Sequence, residues 1–246
     1  MIPLVSISIL ITSALSFFSA ALIWKKKGKD VLKTKFLNDL FFIYLISGVF
    51  FIIDSVPSFF TENGLLIQVL YIISDSFAAL FVTFFIIKMP LSFFLKEKSR
   101  NLITFLFCST VVFSIFYFFY NIVSLKPSRL LQIGPVGIWA ESSDPLLLII
   151  HGSLMIIGFL FIIFFFTKNG WFHKDNFIRE RSRLMAIGCT ILLIAVAFYY
   201  IAYVPNPTTE NTSLEFLVYS GILSGLIFNL GYLVILKSVL LKNQDD

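Results

Sequence analysis

Two ionisable residues stand where water is scarce in this sequence. Asp75 lies inside the apolar stretch 65–87, about ten residues from either end, and His151 lies six residues beyond Pro145 in the stretch 146–167. An ionised carboxylate at that depth in hydrocarbon costs several kcal/mol unless it is paired or wetted, so Asp75 is either a functional group or a hydrogen-bonded tie between helices. Ser74 and Ser76 flank it as hydroxyl partners, and Ser76 is read as a helix-contact residue. His151 can titrate near neutral pH and has the same two readings, ligand or sensor group against packing residue.

A second set gathers around one end of the apolar stretches. Asp54, Tyr199, Tyr200 and Tyr203, with Trp139 and Glu141 from the segment 124–145, can converge on a cavity with acidic groups in aromatic walls. Tyr and Trp also serve as interfacial anchors, which is the plainer reading. Asn229, with Gly225 and Gly231 nearby, is expected to hydrogen-bond across a close helix contact.

These residues need elements to hold them, and the composition says which. Hydrophobic residues make up 58% and charged residues 13% of 246, with mean hydropathy +0.93. Soluble domains carry about 25% charge, so the surplus apolar surface is read as facing lipid. Seven stretches of spanning length follow at 2–24, 36–56, 65–87, 101–123, 146–167, 184–204 and 216–236. They lack the alternation of barrel strands, so the expected fold is an all-α, seven-helix membrane bundle forming a single domain. The first stretch has no basic residue before it and Lys25, Lys26 and Lys27 after it, the reverse of a signal peptide.

Charge sets the expected orientation. Lys and Arg number six in 25–35, four in 88–100, five in 168–183 and two after 236, leaving only Lys126 and Arg129 of nineteen on the other side. The positive-inside bias then puts these connectors in the cytoplasm, the N-terminus outside and the C-terminus inside. The net charge of +5 is thereby a topological signal and no sign of nucleic acid. Lys174, Arg179, Arg181 and Arg183 form the densest basic segment, a natural contact for a cytoplasmic partner or anionic headgroups. Asp39 is expected at the interface, and Cys108 and Cys189 as buried small hydrophobes. Segment 124–145, with Gly134-Pro135 and Asp144-Pro145, is expected to be an ordered lid, and Asn211-Thr212-Ser213 matches a glycosylation sequon.

An offset of 148 aligns Val56-Pro57 with Val204-Pro205 and Thr61-Glu62-Asn63 with Thr209-Glu210-Asn211, which suggests a three-plus-one-plus-three repeat. Phosphate-binding glycine loops, nucleophile elbows and metal-ligand spacings are missing, so neither an enzyme nor a resident metal or cofactor is expected.

The order Gly134-Pro135, Trp139, the apolar stretch 146–166, Arg179-Glu-Arg-Ser-Arg183 and Ala186-Ile187-Gly188 resembles the N-terminal seven-helix sensor region of bacterial histidine kinases and diguanylate cyclases. The resemblance covers the C-terminal half. It implies a sensing module in a cytoplasmic membrane of bacterial type, and, with the sequence running only a few residues past the last span, a readout carried by another protein. The reading is therefore a receptor-like module that binds a small or lipidic ligand and signals to a membrane or cytoplasmic partner. A small-solute or proton-coupled transporter built on Asp75 and the repeat is the alternative, and a structural subunit of a membrane complex is the third.

Overall fold

The computed structural model describes residues 4–26, 31–94, 99–133, 136–140, 144–203 and 214–241. Among the described residues, seven helical segments are long and apolar enough to cross a bilayer, and the chain is a multi-pass membrane protein. The first two spans are α1 (Leu4–Lys25) and α2 (Val31–Ser55), followed by a short turn of helix, α3 (Pro57–Phe60). The third span is composite: α4 (Gly64–Ile73), a π-helical segment (Ser74–Ala79) and α5 (Leu80–Phe94). Then come α6 (Ser99–Val123), the strands β1 (Arg129–Ile133) and β2 (Val136–Ala140), α7 (Pro145–Gly170), α8 (Asn176–Tyr203) and α9 (Leu214–Leu240).

Several helices extend past the expected spans, because a helix need not stop where lipid does. α5 runs through Lys88 and Pro90 to Phe94, so Lys88 belongs to a helix and not to the following connector. α8 starts at Asn176, which puts Arg179, Arg181 and Arg183 on its first turns; Asp175 Oδ1 accepts the amide protons of Phe177 and Ile178 there. Such an acceptor satisfies amides that lack an intrahelical partner. Asn63 does the same for Leu65 and Leu66 at the start of α4, and Asp144 for Leu146 and Leu147 at the start of α7, where Pro145 follows.

Neighbour packing closes six spans into a ring in the order α1, α2, α4–α5, α7, α8, α9 and back to α1. α6 stands outside, against α4, the π segment and α5. Its wall of Phe105, Phe116, Phe119 and Val123 is exposed to the apolar medium, and Cys108 is exposed with it, so only Cys189 is the buried thiol expected. Close approach within the ring relies on small residues. The Ser13 hydroxyl donates to Gly48 O across α1 and α2 at 2.8 Å, and a Cβ built on Gly188 of α8 would lie 2.5 Å from Ile235 Cγ1 and 3.2 Å from Gly231 O of α9. With lipid offering no hydrophobic drive between helices, such backbone proximity is what holds spans together.

In the segment expected to form a lid, β1 and β2 make a two-stranded antiparallel hairpin, pairing Arg129 with Ala140 through Ile133 with Val136, within an otherwise all-α fold. It packs against α1 and α9. Its base is fixed to the start of α4, where Ser128 N donates to Gly64 O at 3.0 Å and Ser128 Oγ donates to Gln68 Oε1 at 2.7 Å. Gly64 is needed there, since a Cβ would fall 2.4 Å from Ser128 O. The second copy of the suggested repeat motif, 204–213, lies outside the described residues, as does the sequon at Asn211.

Candidate functional site

The ring encloses a cavity of about 100 Å³ in the half of the bundle that carries the hairpin. Its depth follows from the helix ends it touches: Val5 opens α1, Asp54 closes α2, Leu148 is in the first turn of α7 and Tyr199 in the last turns of α8. Four polar residues singled out in the sequence, Asp54, Asp75, His151 and Tyr199, all line it, each from a different element. Aromatic walls are supplied by Phe50 and Phe51 of α2 and by Phe228 and Tyr232 of α9.

Asp75 owes its position to the π-helical segment. A π turn accommodates one more residue than an α turn, so the faces of α4 and α5 are rotated relative to each other about Ser74–Ala79. The Ser76 hydroxyl donates to the carbonyl of Ile72, one turn earlier in the same span, at 2.5 Å. Ser74 donates to Phe50 O of α2 at 3.3 Å. Asp75 is thus held buried between the cavity and α6, whose Tyr117 hydroxyl donates to Asp75 Oδ2 over a long 3.4 Å. Tyr117 itself is fully buried, although α6 is otherwise the least enclosed span.

His151 is buried at 3% exposure, with Nε2 3.2 Å from Thr83 Oγ1 of α5. That contact crosses from α7 to the composite span, so the imidazole reports directly on where α5 stands relative to α7. Thr83 and Tyr117 carry no signal in the sequence, being ordinary members of apolar helices.

The remaining candidates lie elsewhere. Trp139 is buried in β2 rather than lining the cavity, and its Nε1 has no hydrogen-bond acceptor among the described residues. Glu141 lies outside the described residues. Tyr200 and Tyr203 sit on the last turns of α8, and their side chains fall outside the described residues as well. Asn229 Oδ1 is buried without a hydrogen-bond partner among the described residues, so the expected amide bridge is not formed through that atom; the close contacts nearby are made by Gly225 against Ser8 and Gly231 against Leu192.

Toward the opposite, basic end the cavity is sealed. Ile43, Ile86, Met89, Phe159, Leu192 and Ile235 belong to one continuous apolar layer that holds a void of only about 30 Å³. The layer is braced by Tyr44, which donates to Tyr232 O at 2.8 Å and packs its ring 4.9 Å from that of Tyr232.

Below that layer three cationic side chains bond backbone carbonyls of the protein itself. Lys26 Nζ donates to Val239 O and Leu241 O at the end of α9, and Arg181 Nε donates to Ser238 O at 3.0 Å. Arg183 Nε donates to Trp171 O at 3.1 Å, with its guanidinium over the Trp171 ring. Cations at helix C-termini satisfy carbonyls that lack partners and oppose the negative end of the helix dipole. Arg181 and Arg183 are consequently structural caps, while Lys174 is exposed and Arg179 bonds Asn176 on the same helix. Asp39 does not reach the interface as expected. It is buried and ion-paired with Lys88 of α5, fastening α2 to the composite span.

Fold and site together define a seven-span helical membrane protein with an acidic, aromatic-walled cavity closed at its basic end. Comparison with protein-family models, curated proteins and solved structures finds no match to this chain. No group of three or more His, Cys, Asp or Glu among the described residues could hold a metal ion.

Proposed function

We propose that the chain is a receptor-like membrane module that binds a small ligand in the ring cavity and signals toward its basic end. The observation that carries this reading is the convergence of Asp54, Asp75, His151 and Tyr199 on one cavity that has an apolar seal beneath it. A few convergent polar groups within apolar and aromatic walls are the usual form of a small-ligand pocket. By the positive-inside bias the hairpin end faces outward and the basic end faces the cytoplasm, in a cytoplasmic membrane of bacterial type. Ligand would then enter from outside, and any readout would pass to a cytoplasmic or membrane partner near Lys174 and Arg179.

Two features give the cavity a mechanical route to that end. The π segment holds Asp75 at the cavity, and the same span continues as α5 to Thr83, which meets His151, and to Lys88, which meets Asp39. A change in how Asp75 is satisfied alters the π turn, and α5 carries the change to the ion pair. A carrier working by alternating access would show the same apolar layer on one side of its site, so solute flux is the measurement that separates the two readings.

The test is amide hydrogen exchange on the protein in lipid nanodiscs, comparing the native chain with Asp75→Asn. Exchange in 176–183 and 84–94 is expected to rise in the variant although the substitution is far from both, and solute flux in proteoliposomes is expected to be nil. Unaltered exchange at the basic end, with flux that Asp75→Asn abolishes, would favour a transporter instead.

A further inference from the structure

We infer that the ring cavity takes a small organic cation, a primary alkylammonium with a short apolar chain. The inference rests on the reading of this cavity as a ligand site and names the chemistry it recognises.

Charge comes first. The lining contributes two carboxylates, Asp54 and Asp75, one imidazole and no lysine or arginine. Carboxylates set among apolar walls favour a positively charged occupant over a neutral or anionic one. Anionic ligands are repelled for the same reason.

Hydrogen bonding gives an independent indication. Thr12 and Ser224 line the cavity, and each has committed its proton elsewhere: Thr12 Oγ1 donates to Ser8 O at 3.1 Å and Ser224 Oγ donates to Ala195 O at 3.2 Å. Hydroxyls whose hydrogens are so engaged offer only lone pairs to the cavity. With the two carboxylates, these hydroxyls offer the three N–H groups of an ammonium four acceptor residues, beside the lining Ser47, His151, Tyr199 and Tyr232.

The walls and the size restrict the rest. Phe50, Phe51, Phe228, Tyr199 and Tyr232 present rings to the space, and aromatic faces attract cations within about 6 Å while packing against alkyl carbon. The volume of about 100 Å³ is below the roughly 150 Å³ of an engineered cavity that takes up benzene. Methylammonium and ethylammonium fall within that limit.

Isothermal titration of the full chain in nanodiscs, at constant ionic strength, tests this with ethylammonium, ethanol, acetate and potassium as probes. Ethylammonium is expected to bind at least about tenfold more tightly than its neutral isostere ethanol, the advantage of one charge-assisted hydrogen bond, and acetate not at all. Asp75→Asn is expected to weaken ethylammonium about tenfold or more and to leave ethanol unchanged. Because the comparison of ethylammonium with ethanol needs no variant, it stands even if Asp75→Asn fails to fold. Equal binding of ethanol, or binding of potassium as tight as that of ethylammonium, would overturn the organic-cation assignment while leaving the cavity a ligand site. Failure of all four probes to bind would overturn both.

Discussion

Lys88→Met should destabilise the bundle by about 2–4 kcal/mol, somewhat less than removing one partner from a fully buried ion pair because the Lys88 side chain is 26% exposed. Asp39 is 4% exposed, so with Lys88 gone its carboxylate has little access to water. The loss therefore comes mainly from the stranded charge and less from the attraction that was removed. Asp39→Asn added to Lys88→Met should return most of the stability, because a neutral amide at that site is far cheaper to bury. Thermal denaturation in detergent, run on both single variants and the double variant, measures the coupling as a double-mutant cycle. If the double variant were as unstable as Lys88→Met alone, the pair would not be the clamp between α2 and α5 described above.

Gly188→Val should also be severe, with a loss of about 1–3 kcal/mol or a failure of α8 and α9 to associate. The added Cβ alone meets Ile235 Cγ1 at 2.5 Å and Ile235 N at 3.1 Å, and a second contact from Gly231 toward Leu192 leaves no slack on the opposite helix. A side chain can rotate away, but a backbone nitrogen moves only with its helix. Ile187→Val, one residue earlier on a side exposed to lipid, is the control and should fall within about 0.5 kcal/mol of the native chain. Similar melting midpoints for Gly188→Val and Ile187→Val would contradict the close crossing.

Hydropathy made the seven spans legible because 20 or so apolar residues in succession have few other uses. It misplaced ends where polar residues continue a helix beyond lipid. Asp175 and Asn176 start α8 well before the apolar stretch begins, and Lys88 and Pro90 lie within α5 although both read as a connector. The hairpin at 129–140 reads in the sequence only as an ordered lid, because its strands are too short and too apolar to stand out from a loop. The π segment around Asp75 has no sequence signature at all, since it depends on how α4 and α5 settle against α2.

The site was legible residue by residue and not as a site. Asp75 and His151 draw notice as ionisable groups at depth, Asp54 and Tyr199 as polar groups near one end. Nothing in the chain says that they share a cavity, because these spans are apolar on every side and the pattern does not fix which face turns inward. Asp39 and Lys88 are 49 positions apart, and only the packing of α2 on α5 joins them. Arg181 and Arg183 read as free positive charge for the same reason, and the structure gives them to the C-termini of α9 and α7.

A cavity in the hairpin half of the bundle, with an apolar layer beneath it, should be reached from the hairpin face alone. Ser224→Cys, in a chain with Cys108 and Cys189 replaced by Ala, places a thiol on its wall. Oriented proteoliposomes exposed to a membrane-impermeant cationic thiosulfonate on one face at a time should show modification from the hairpin face and none from the basic face. Modification from the basic face, or from neither, would contradict it.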